Sequence, residues 1–190
     1  MPYNLPQFTT TRMSIGPAVL YIGPSGATPT VDVGAVESGA TLTTTRTKED
    51  IFQGFPKTLV AQFATQETAV LKLSGIEWNV NNLMYALGAG VTSSATNTEV
   101  LDFGGQITFQ NVALKLVHQT PYGWTINVSI WQAQGDGAVE FNFGDTHHKM
   151  PYTFNAMVPW DNTSRSCKDW AGATLAVGYQ LFKVEVQKAA

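Results

Sequence analysis

The chain reads as an all-β protein: an antiparallel β-sandwich or open barrel closed on one side by a short α-helix. Three observations predict this class. Apolar and polar residues alternate with a period of two in several separate runs. Gly- and Pro-rich turn signals divide those runs at Gly23–Gly26, Gly104-Gly105, Pro121–Gly123 and Gly135–Gly137. One stretch only carries helical spacing.

Taken in order, strands are expected around Ala40–Thr45 and Leu59–Phe63, on either side of a long loop at Arg46–Pro56. The helix follows. Asn79 can cap it, Val80, Leu83, Met84 and Leu87 fall at i, i+3, i+4 and i+7, and Gly88 supplies the stop. Two turns are too short to stand alone, so the apolar stripe must pack on strands. Next comes an apolar set whose parity changes, Ile107 and Phe109 and then Val112, Leu114 and Leu116. A second parity change separates Leu175, Val177, Tyr179 and Leu181 from Phe182, Val184 and Val186. A shift of one residue turns the buried face over, so each segment should hold a bulge or pass between sheets. Trp124, Ile126, Val128 and Ile130 form one face of a strand, with Thr125, Asn127 and Ser129 on the other. Val139, Phe141 and Phe143 alternate likewise, and Gly135-Asp136-Gly137 before them signals a hairpin. Met150, Tyr152, Phe154, Ala156 and Val158 complete the set. One apolar and one polar face per strand is the antiparallel signature.

At 190 residues the chain suits one domain, with an N-terminal arm at 1–15 and a C-terminal segment and final strand over 160–190. The charged fraction, 13%, is about half that of an ordinary soluble domain, and Thr, Asn, Gln, Ser and Gly take up the polar share. Such a surface is tolerable if much of it is buried against further copies; a secreted or viral domain rich in Thr and Asn meets the composition equally. Net charge is −3 without a Lys/Arg cluster, which argues against gripping nucleic acid. A single cysteine, Cys167, excludes an internal disulfide framework and reads as a buried thiol. The first residues lack a secretory pattern, so the chain is expected in the cytoplasm until assembly or lysis.

Arg46–Pro56 stands out. It mixes Arg46, Lys48, Glu49 and Asp50 with Ile51, Phe52 and Phe55, and ends in Pro56. A solvated loop has no reason to carry three bulky apolar groups. Docking onto a neighbour and folding back onto the parent domain both account for them.

Several segments, in order, resemble bacteriophage tail tube proteins. Gly16-Pro17-Ala18-Val19-Leu20-Tyr21-Ile22-Gly23 matches the opening strand, and Gly34, Ala35, Glu37, Gly39, Thr41 and Leu42 match a Gly-Ala-x-Glu-x-Gly-x-Thr-Leu motif. The long loop, a strand with Glu67 and Ala69–Ser74, and a helix ending in Leu87-Gly88 follow. His148–Met157 is similar to the penultimate strand, with Met150 and Met157 where Ile and Leu are commoner. Residues 160–172 match nothing in the family. The resemblance implies hexameric rings that stack into a tube conducting DNA into the host, in a virion tail. It implies further copies, tape measure, baseplate or tail-tip and terminator proteins as partners, and a sheath if the tail contracts. It also implies that the long loop, Arg46, Lys48, Glu49, Asp50, Ile51, Phe52, Phe55 and Pro56, joins one ring to the next. Glu37, Glu49, Asp50 and Glu67 are candidate acidic residues of the lumen, where like charge would keep DNA sliding.

No catalytic motif is present, and no cofactor or metal is expected. His147 and His148 are adjacent strand residues and point to opposite faces. Two other readings stay open. A carbohydrate- or receptor-binding tail module would use Trp78, Trp124, Trp131, Trp160 or Trp170 as a stacking platform. The tube subunit of a phage-derived secretion system is structurally adjacent.

Overall fold

The computed structural model describes residues 18–34, 36–77, 79–141, 149–176 and 180–188. Their elements are β1 (Val19–Pro24), β2 (Val31–Asp32), β3 (Val36–Gln53), β4 (Thr58–Gly75), α1 (Val80–Leu87), β5 (Val91–Ala95), β6 (Thr98–Asp102), β7 (Asn111–Gln119), β8 (Thr125–Gly135), β9 (Met150–Met157), β10 (Trp160–Asp161), β11 (Ser166–Cys167) and β12 (Phe182–Gln187). The fold is all-β with one short helix, and the strand pairs are antiparallel. Eight strands make one sheet in the order β2-β1-β7-β8-β9-β4-β3, with β12 also on β8. The pairs β5–β6 and β10–β11 stand apart from it.

β8 organises the sheet. Against β7, Leu114 faces Ile130 and Val112 faces Ala133, so Trp131 and Gln132 together oppose Ala113. Two residues against one is a bulge, which bends the strand and raises its twist. The other neighbour of β8 changes at the same place. Up to Ile130 it is β12; from Gln132 it is β9.

The inward side chains of β1, β4, β7, β8 and β9 meet in one cluster that includes Leu20, Ile22, Leu71, Leu73, Leu114, Ile130, Tyr152 and Phe154. A helix of eight residues cannot cover five strands, so the bent sheet curves around its own side chains. Helix α1 adds Ala86 at one end of this core. Asn79 caps it, its Oδ1 accepting from the N–H groups of Asn81 and Asn82 at 2.9 and 3.3 Å, and Gly88 ends it with φ of 68°. The last turn lies directly on Gly135, where an added Cβ would overlap the carbonyl oxygens of Tyr85 and Ala86.

Several expected strands differ. Ile107 and Phe109 precede β7 and are not strand. The parity change expected between Phe109 and Val112 falls ahead of β7, outside any strand, and the bulge of the β7–β8 pair lies in β8 instead. Gly135–Gly137 does not close a hairpin: the Asp136 N–H donates to the Thr153 carbonyl and the Gly137 N–H to Ala86 of the helix. Those groups are spent on β9 and α1, and 138–141 runs on without strand pairing. Phe143, His147 and His148 lie outside the described residues, as do the 1–15 arm, Trp78, Val177 and Tyr179. The final strand starts at Phe182, and the Leu175 N–H donates instead to the Cys167 carbonyl.

The polar face of β8 is not solvated either. Asn127 and Ser129 are buried. Their neighbours across the ladder are Val117 and Glu185, and Lys115 and Lys183. Long side chains flank short ones, and the ion pair between Lys183 and Glu185 (2.8 Å) runs along β12 beside them.

Candidate assembly surface

The segment Arg46–Pro56 is not a loop between short strands. Strands β3 and β4 are each 18 residues long and pair from Val36↔Gly75 to Gln53↔Thr58, leaving only a turn at Gly54–Lys57. Thr41–Thr45, Ile51 and Phe52 on one strand and Leu59, Val60, Phe63 and Thr65 on the other are strand formers. Beyond the body their backbone groups have no partner but each other, so the ladder continues. The extra residues Thr65 and Val60 of β4, at the shifts after Thr47 and Ile51, twist the ribbon.

Strand β9 supports β4 only over Val70–Gly75. Ala69 is still buried, and Thr44, Arg46, Glu67 and Thr68 lie beside Val158, Gln180 and Phe182, so the ribbon projects on its own only from Arg46 to the turn, roughly 23 Å. Its side chains are exposed on both faces, with Ala61 the partial exception. The register sets what each face carries. Glu49 and Ile51 lie opposite Phe63 and Ala61; Asp50 and Phe52, one residue on, point the other way with Gln62 and Leu59. Phe55 at the tip is fully exposed, and Ile51, Phe52, Leu59, Val60 and Phe63 are about half exposed. None folds back onto the body.

The expected joint residues thus share one protrusion, divided between two faces: Arg46, Lys48, Asp50 and Phe52 on one, Glu49 and Ile51 on the other, Phe55 and Pro56 in the turn. The acidic set does not converge. Glu49 is separated from Asp50 and Glu67 by the strand, Glu67 is paired with Arg46, and the side chain of Glu37 is outside the description. The strand expected around Leu59–Phe63 is present within β4, whereas the loop expected at Arg46–Pro56 is strand up to Gln53. The apolar residues on both sides of the Gly54–Lys57 turn were the available signal for a symmetric arm.

The opposite end of the body is also apolar. Val91, Val100, Phe103, Ile107, Phe109 and Phe141 are exposed around α1 and the β5–β6 pair. Between them lies a groove of about 760 Å³, with Leu83, Leu87, Leu101, Phe103, Val139 and Phe141 on its walls and Glu140 and Pro151 at its sides. Its residues come from four separated segments, so no local pattern announces it.

In the eight-stranded sheet three strand edges lie open among the described residues: the outer edge of β3, paired only with β4, that of β12, paired only with β8, and that of the two-residue β2, paired only with β1. The C-terminal segment packs elsewhere. Trp170 meets Trp131 edge-on (ring centroids 5.0 Å apart, 69° between planes), Cys167 is buried and free, and Asp161 accepts from the Ser164 hydroxyl and the Thr163 N–H. Those bonds, the Ser164 hydroxyl first, hold the Asp161 carboxyl below its ordinary pKa. Compared with known proteins, the chain matches no family model and no curated sequence.

Proposed function

We propose that this chain is the subunit of a phage tail tube, a structural protein that works by self-assembly. Copies close side by side into hexameric rings, and the rings stack into a hollow conduit for DNA ejection. The carrying observation is the projecting ribbon, exposed on both faces, with Phe52 and Leu59 on one, Ile51 and Phe63 on the other and Phe55 at the tip. A two-stranded hairpin of that kind is marginal in water, and covering both faces by neighbouring copies removes the liability. Open edges at β3 and β12 support lateral closure, since strand edges invite pairing with a further chain and a ring leaves none exposed. Sparse charge and a net −3 suit a wall past which phosphate slides without sticking.

In this reading the tape measure protein fills the tube during assembly, baseplate or tail-tip and terminator proteins close its ends, and a sheath surrounds it only in contractile tails. Electron microscopy of the purified protein, with mass measurement in solution, tests the reading. Rings of six and hollow polymers are expected. A monodisperse monomer at high concentration overturns it.

A further inference from the structure

We infer that the groove between α1, β6 and residues 137–141 is the seat that receives the ribbon tip of the next copy in the stack. This rests on the tube reading and deepens it by naming the receiving surface.

Placement is the first argument. Pro151, at the side of the groove, stands opposite Ser74 in the β4–β9 register. Strand β4 begins just past the tip turn at Thr58, sixteen residues from Ser74 with two of them bulged out, roughly 46 Å away at the strand rise. Tip and groove therefore sit at opposite ends of one continuous strand and cannot meet within a chain. Successive copies related by translation bring the tip of one to the groove of the next. Such a head-to-tail contact does not close on itself and propagates as a filament.

Chemistry is the second. The tip offers Phe55, fully exposed, and the cross-strand pair Phe52 and Leu59, each about half exposed. The groove is apolar and of the size that takes a few side chains rather than a whole domain. Charge is the third. Lys57 is the charged residue of the tip turn, and Glu140 is the charged residue among the described residues lining the groove. Opposite signs at the two ends favour this register over tip-to-tip contact, which would bring like charges together.

The test alters the groove while leaving the tip intact. Phe103 and Phe141 are already exposed, so Phe103→Asp with Phe141→Asp should keep the fold and the rings and lose the tubes. Mixed with a Phe52→Asp, Phe55→Asp chain, whose groove is intact, these rings should stack two deep and no further. Independently, a Phe55→Cys, Phe103→Cys chain should, on oxidation, give disulfide-linked ladders that reductant dissolves; the buried Cys167 stays out of them. This second variant decides the matter if the first misfolds. The tube should also show an axial repeat no longer than about 46 Å, the tip-to-groove span along β4. Tubes of parental length from the groove variant, or oxidised tubes without cross-links, overturn the seat. If the tip variant alone blocks stacking, the ribbon remains the joint and its seat lies elsewhere; if neither variant blocks it, the ribbon reading falls as well.

Discussion

Replacing Phe52 and Phe55 together by Asp separates assembly from folding. Phe55 is fully exposed, and Phe52, 54% exposed, stands opposite Leu59 across the ribbon, so neither packs on the body of the single chain. Exposed substitutions of this kind usually change stability by less than about 0.5 kcal/mol. Docking is another matter. Burying a Phe side chain completely is worth about 1.5–3 kcal/mol, and Phe52 has about half of that still to gain. The pair therefore supplies about 3 kcal/mol per contact, more than a hundredfold in association, before the cost of desolvating two carboxylates is added. Six such contacts between proposed rings multiply the loss beyond any workable protein concentration. The assay is paired: urea denaturation for the fold, sedimentation and electron microscopy for the polymer. Expected is an unchanged midpoint with no tubes. Tubes of ordinary length from a correctly folded variant would refute the argument, because the two largest exposed side chains near the tip would then carry none of the stacking energy.

Further outcomes concern the body. Gly135→Ala drives a methyl into the helix carbonyls of Tyr85 and Ala86 and should cost about 1–3 kcal/mol in denaturant titration; an unchanged midpoint would mean that α1 does not rest on β8. Asn79→Ala removes the cap acceptor of two N–H groups and should cost about 1 kcal/mol, with the Asp variant recovering most of it by the same measurement. Burial pushes the Tyr152 hydroxyl up to about 12, from 10.0 for a free tyrosine. Its folded pKa is the higher one, so its contribution is complete below pH 10 and is lost as pH rises through 12. Thermal melts across that window should fall more steeply for the parent than for Tyr152→Phe; parallel curves would show that the ring is solvated.

How much could be read beforehand varied with the range of the interaction. The helix, its Asn79 cap and its Gly88 stop lie within ten residues of chain, and their signals survive in the fold. The alternation of Met150, Tyr152 and Phe154 likewise predicted which side of β9 is buried. Failures came where a remote group decided the outcome. Gly135–Gly137 has hairpin composition, but the N–H groups of Asp136 and Gly137 are taken by β9 and α1. Asn127 and Ser129 are polar, yet flanking lysines and Glu185 hide them. Charged residues in 46–53 looked like a loop, but in a two-stranded ribbon both faces meet water and charge is no obstacle to pairing.

By itself, then, the sequence determined an all-β antiparallel class, a capped two-turn helix and an unusual apolar load near residues 51–55. These follow from periodicity, caps and composition, which are local properties. Only the tertiary structure decided that this load rides on a ribbon clear of the body, that β8 exchanges β12 for β9 at its bulge, and that an apolar groove opens at the far end. Exposure and pairing depend on what stands opposite a residue in space, and residues far apart in the chain supply that.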